Sequence, residues 1–192
     1  MPSPLADRVH ETLNGRQLTR IQYIGLLGQL YHFSAAAQSH LRAVVARIDD
    51  PALSRWFTQH AREENGHHRW AEQDLRELGE AVPRPLPATL RLIRHIKEVA
   101  GGAKPYLVLG ISQVAENLSP MLDPASLLPE GIGGAKRYVG RHVLVDRTHA
   151  ADVNQRVSML PTERQAEVLE ESRRFADLMF EFLLESAGMR GD

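Results

Sequence analysis

Three acidic and three histidine side chains, Glu64, His67, Glu116, His142, Asp146 and His149, fall at helical spacings along the chain. Together they are the donor inventory of a site for two metal ions. The densest part is His142-Val-Leu-Val-Asp146-Arg-Thr-His149. A helix turns about 100° per residue, so steps of four and seven return nearly to the starting direction, and all three donors share one stripe. Mixed imidazole and carboxylate donors suit Fe, Mn or Zn, whereas Mg or Ca wants oxygen ligands alone.

The helices that must position these donors carry them where apolar residues belong. One helix is expected from about Pro51 to Leu78, and its inward stripe reads Leu53, Phe57, His60, Glu64, His67, Ala71, Leu75, Leu78, with steps of three and four throughout. The helix around His142 repeats the pattern with Tyr138, His142, Asp146, His149, Val153 and Val157. A buried carboxylate or imidazole costs several kcal/mol unless it is paired or metal-bound. Two helices that accept this cost at their middles are expected to share the compensation. Glu116 lies in the mostly apolar stretch from Leu107 to Leu118, with no basic residue three or four positions away. Taken singly, each piece has a plainer reading. Glu64 and His67 fit a surface pair at a three-residue step, and Asp146 fits a bridge to an arginine. Their coincidence on three helices favours a common site. His60, on the same stripe, is a further candidate, as are His32 and Tyr31 as pocket lining beside Ala35. His68 falls one step off the stripe and is expected to be exposed; His10, His40 and His95 read as solvated.

The frame is all-α, and 192 residues with 43% hydrophobic content suffice for one domain, 1–192, in which 1–15 and 187–192 read as loose termini. A first helix is expected from about Thr19 to Ile48, with Gly25 and Gly28 bending it or admitting a ligand. Asp50 and Pro51 are N-cap and first residue of the next helix, and Gly79 closes it. Further helices are expected over about Ala88–Val99, Lys104–Leu118 and Ala135–Met159. The stretch from Pro120 to Gly134 reads as a loop. A last helix opens at Pro161, with Thr162 and Gln165 as a capping box.

Composition removes several functional classes. With 23 basic against 24 acidic residues the net charge is −1, which gives no electrostatic footprint for nucleic acid or a membrane surface. No apolar run approaches the roughly 20 residues that span a bilayer. The N-terminus lacks the basic-then-apolar layout of a signal peptide, so the expected compartment is the cytoplasm. The chain has no cysteine, which removes disulfides, Fe–S ligation and thiol nucleophiles.

Glu63-Glu64-Asn65-Gly66-His67, Asp74-Leu-Arg-Glu-Leu-Gly79, Val114-Ala-Glu116 and His142-x3-Asp146-x2-His149 occur in an order and separation that resemble the haem-oxygenase-like di-iron oxidases and oxygenases, often labelled iron-containing redox enzymes. The resemblance runs from about Gln22 to Phe182. It implies a bundle of about seven helices with the haem-oxygenase topology and no haem. It implies one iron on Glu64, Glu116 and one histidine of the last motif, and a second on His67, Asp146 and the other histidine. Which histidine serves which iron stays open, and Glu63 competes with Glu64, since Glu63 to His67 is also a helical step. The resemblance further implies two Fe ions, with Mn as the alternative metal. The implied activity is that of an oxidoreductase using O2 on a small amine- or carboxylate-bearing metabolite, by N-oxygenation or oxidative C–C cleavage. An external electron donor is a further expected partner, and a homodimer is the default assembly.

Rival readings share the fold or the residues. A haem oxygenase would use a proximal histidine, for which His10 in Leu5-Ala-Asp-Arg-Val-His10 is the candidate; its glycine-rich distal helix is matched only by Gly110. A metal-free quinone-cofactor synthase also uses several core histidines. A ferritin-like protein needs two Glu-x-x-His motifs, and only Glu64-x2-His67 occurs. A non-catalytic helical binding protein is the remaining alternative.

Overall fold

The computed structural model describes residues 17–122 and 124–189, apart from the side chains of residues 119, 120, 124, 126 and 143–147. Among the described residues the secondary structure is helical: α1 (Arg20–Val45), α2 (Pro51–Glu63), α3 (His68–Glu77), α4 (Pro87–Gly101), a 3-10 turn (Pro105–Leu107), α5 (Val108–Met121), the single turn α6 (Pro124–Leu127), α7 (Arg137–Ser158) and α8 (Thr162–Ser186). Seven of these helices have ten residues or more. No helix among them is long and apolar enough to cross a membrane.

Local chemistry sets most of the ends. Thr19 caps α1 through a reciprocal box with Gln22. Asp50 accepts from the amides of Ala52 and Leu53, with Pro51 at the first helical position. At α8 the expected capping box does not form. Pro161 occupies the cap position, and the Gln165 amide reaches back to donate to the carbonyls of Ser158 and Leu160. α5 also runs further than expected, through Pro120 to Met121.

The largest departure lies between α2 and α3. The sequence stripe from Leu53 to Leu78 reads as one helix, but residues 64–67 form a turn in which Gly66 adopts φ +90°. That is the left-handed region, where glycine carries no Cβ penalty. The break leaves the three-and-four spacing in phase on both sides, so periodicity does not reveal it.

α1 runs through the middle of the bundle against α2, α3 and α4, while α5 packs on α7 and α8. Gly28 serves packing rather than ligand access, since a Cβ there would lie 2.3 Å from Pro83 Cγ. The proline-rich connection therefore lies directly on α1. Buried Gln29 satisfies its backbone: Nε2 donates to Arg84 O at 3.1 Å, and Oε1 accepts from Leu86 N at 2.9 Å and Thr89 Oγ1 at 2.7 Å. Asp74 on α3, with 0% exposure, fixes the start of α7. It accepts from Tyr138 N at 2.8 Å and from Arg137 Nη1 at 3.0 Å. Tyr23 on α1 adds a hydrogen bond to Ala135 O at 2.8 Å.

Candidate metal centre

Three parts of the bundle bring the expected donors together. The end of α2 and the turn after it supply His60, Glu64 and His67; α5 supplies Glu116; α7 supplies His142 and His149. Glu64 Oε2 lies 3.0 Å from His67 Nδ1, and Glu64 Oε1 lies 3.7 Å from His149 Nδ1. Glu116 sits between two imidazoles, with Oε1 3.3 Å from His60 Nε2 and Oε2 3.2 Å from His149 Nδ1. The rings of His67 and His142 meet edge to face at 5.0 Å.

The donors fall into two groups that could each hold an ion. One comprises His60, Glu64, Glu116 and His149; the other comprises Glu64, His67 and His142. Within each group the donor atoms lie within 4.8 Å of one another, and Glu64 is common to both. The side chains of Asp146 and Arg147 lie outside the described ones, and His10 lies outside the described residues.

The second group shows why a cation fits. His67 Nδ1 is buried and makes no hydrogen bond, although a Glu64 oxygen is only 3.0 Å away. A buried imidazole nitrogen without a hydrogen-bond partner, set beside a carboxylate oxygen, is a donor pair that a cation would satisfy. Among the described residues, the ion-pair partners of Glu64 and Glu116 are imidazoles, not lysine or arginine. His142 is already set up as a neutral donor. Its Nδ1 lies 2.8 Å from the Tyr138 carbonyl, which leaves the lone pair on Nε2. Burial holds the His142 pKa low, against the opposing effect of that hydrogen bond. Behind the first group, His60 stacks on Trp56 at 4.9 Å, and Trp56 Nε1 donates to Asp152.

The charges of the metal-free site follow from these contacts. Burial would raise the Glu116 pKa, but hydrogen bonds from His149 and His60 outweigh it and hold the carboxyl down at about 2. The Glu116 hydrogen bond lifts His149 to about 9, against its own burial. A raised histidine stabilises the metal-free fold below its ordinary pKa of 6.5, and that contribution is lost as pH rises through about 9. A depressed carboxyl stabilises above its ordinary 4.5, and its contribution is lost as pH falls through about 2. An ion at His149 must also displace its proton, which costs less as pH approaches 9. The rise in melting temperature on adding Mn(II) is therefore expected to grow steadily between pH 6.5 and 9. A flat or shrinking rise in thermal-shift measurements would contradict this assignment.

A cavity of about 130 Å³ adjoins the donors. His60, Glu64, Glu116 and His142 form one side, and aliphatic and aromatic residues such as Leu26, Leu30, Phe33, Ile111 and Met179 form the rest. The wall also carries Ser34 and Tyr138, whose hydroxyls are 2.7 Å apart, together with Ser112 and His40.

Several expectations need correction. His40 is not solvated; it lines the cavity, and burial lowers its pKa. His95 pairs at 2.5 Å with buried Glu171 of α8. His68 is half-buried rather than exposed, with its ring edge-on to Tyr31. His32 and Tyr31 stand apart from both donor groups. His32 Nε2 lies 2.7 Å from the Pro83 carbonyl, and Tyr31 packs against His32 and His68. Their neighbour Phe33 lines the cavity instead. Glu63 belongs to neither donor group. His60, only a secondary candidate in the sequence, belongs to the larger one; its place on the same stripe as Glu64 was the available signal. Asp74 went unnoticed as the residue that fixes α7, because nothing local distinguishes its role.

Comparison with known proteins agrees with this architecture. A family model described as iron-containing redox enzyme matches residues 24–180. A domain of unknown function with a heme oxygenase-like fold from Shewanella denitrificans OS217 superposes with a TM-score of 0.78 at 25% identity, covering 96% of this chain and 83% of its own. A TenA homolog from Pseudomonas syringae pv. tomato DC3000 gives 0.71 at 13% identity, over 98% and 86% of the two chains. A TenA homologue from Pyrococcus furiosus gives 0.67 at 13%, over 97% and 91%. The last two establish shared fold alone. No curated protein matches the sequence. The all-α, haem-oxygenase-like topology expected from the sequence is the one observed.

Proposed function

The chain belongs to the iron-containing redox enzyme family, and from that premise we propose that it is a non-haem di-iron oxidase or oxygenase. The observation that carries this reading is the pair of donor groups sharing Glu64 at the edge of an apolar cavity. His60, Glu64, Glu116 and His149 would hold one iron. Glu64, His67 and His142 would hold the other, joined by Asp146, which lies on the same α7 stripe by sequence. Reduced iron, when bound, supplies positions for O2 and the electrons that activate it.

The rest of the work falls to the chain. Glu64 presents one oxygen toward each group, which keeps the two positions adjacent. The Tyr138 carbonyl fixes the His142 tautomer so that Nε2 faces the site. The apolar wall excludes water and strengthens every charge interaction inside. Ser34 and Tyr138 place polar groups on that wall beside His142, where a substrate can be oriented. Among the described residues, the cavity lining contains no lysine or arginine. The substrate we propose is a small metabolite whose amine or carboxylate lies at the metal end and whose apolar body fills the remainder. Its expected reaction is N-oxygenation or oxidative C–C cleavage, with electrons from an external donor where the stoichiometry requires them.

Anaerobic titration of metal-free protein with Fe(II) is expected to end at two ions per chain, and subsequent O2 uptake is expected to scale with bound iron. An endpoint below one ion per chain, or O2 uptake independent of loading, would end this reading.

A further inference from the structure

Glu63 belongs to neither donor group, yet it touches one of the donors from outside. His149 has partners at both ring nitrogens. Nδ1 is 3.2 Å from Glu116 Oε2 and 3.7 Å from Glu64 Oε1, while Nε2 is 3.3 Å from Glu63 Oε2. The second oxygen of Glu63 is also engaged: Oε1 accepts from Gln59 Nε2 at 2.7 Å, one helical turn earlier. The Glu63 side chain is 40% exposed, against 9% for Glu116. It is a solvent-accessible carboxylate, with one oxygen turned to the Nε2 edge of the ring.

A neutral imidazole carries one proton, and a hydrogen-bond acceptor at one nitrogen selects the other as the lone pair. We propose that Glu63 is a positioning residue for the metal centre. Its carboxylate accepts the Nε2–H of His149, which turns the Nδ1 lone pair inward to the ion shared with Glu116, and Gln59 steadies the carboxylate. This rests on the metal reading above and assigns Glu63 a role other than ligand. Carboxylates placed behind a ligating histidine fix its orientation and raise its basicity. As an ordinary ion pair at the rim, Glu63 would contribute little to stability. The two roles therefore predict different things for the same substitution.

The test uses Zn(II) and Co(II) as probes of the full chain. Metal-free Glu63→Ala is expected to unfold at the wild-type temperature, because the residue is exposed. At saturation it still binds two ions per chain, but its tighter site weakens by about 10- to 100-fold, and the visible absorption of the Co(II) form shifts. Glu63→Gln, which keeps a carbonyl oxygen to accept the proton, recovers most of the affinity and the wild-type spectrum. In the Zn(II) form, a slowly exchanging His149 Nε2–H proton resonance is present in wild type and absent in Glu63→Ala. Unchanged affinity and spectrum in Glu63→Ala would reduce the contact to a surface pair. Loss of one bound ion at saturation would make Glu63 a ligand, and a large fall in melting temperature would make its role structural. Each of these overturns the proposal. Wild-type protein that binds neither metal fails differently and removes the metal reading itself.

Discussion

Replacing Glu64 by alanine is expected to disable both metal positions at once. Its two oxygens face different neighbours, His67 at 3.0 Å and His149 at 3.7 Å, and among the described residues it is the one donor common to both groups. Removing it leaves His60, Glu116 and His149 on one side and His67 and His142 on the other, and it takes away the negative charge between them. The loss in affinity should exceed the roughly 100-fold that outer-shell changes cause. Iron content after anaerobic loading is expected to fall from two ions per chain to fewer than one, with O2 uptake lost in parallel. The fold should survive, because Glu64 lies in a turn rather than in the packed core. A Glu64→Ala protein that still loads two ions would refute the shared carboxylate.

The second large effect is expected at Asp74, which belongs to neither donor group. Its carboxylate is fully buried and bonded to Tyr138 N and Arg137 Nη1 at the first turn of α7. Alanine there leaves a buried amide without its acceptor and deprives Arg137 of one partner, while Glu77 remains at 2.5 Å. The cost should be about 3 kcal/mol. The Tyr138 ring lies 4.0 Å from that of His142, and its carbonyl orients that imidazole, so the displacement reaches the site. Urea unfolding of the metal-free protein measures the first effect, and metal titration the second. A loss below about 1 kcal/mol, with wild-type metal affinity, would show that α7 is held by other contacts. Asp74→Asn keeps one acceptor and should fall between the two.

Both predictions concern residues whose importance is only half visible along the chain. The start of α2 was legible because Asp50 and Pro51 state their roles within one turn. The break after Glu63 was not, because Gly66 inserts a turn without disturbing the spacing of Phe57, His60, Glu64 and Ala71. Gln29 gave no signal either, since its three partners lie 55 to 60 residues away. His40 read as a solvated histidine because the wall it joins is assembled from residues on several other helices.

Spacing along one helix reports direction about that helix axis. For this reason the sequence alone determined an all-α chain and singled out His142 and His149 on one stripe, Glu64 and His67 on another, and Glu116 in an apolar segment. Distances between helices depend on how the bundle packs. Only the tertiary structure decided that Glu116 faces His60 and His149, that Glu64 rather than Glu63 lies between the two groups, and that His32 and Tyr31 turn away. Those choices depend on close approaches such as Gly28 on Pro83 and on the Asp74 anchor beneath α7. Such contacts join residues tens of positions apart, and a carboxylate or imidazole carries no local mark of the partner it will meet.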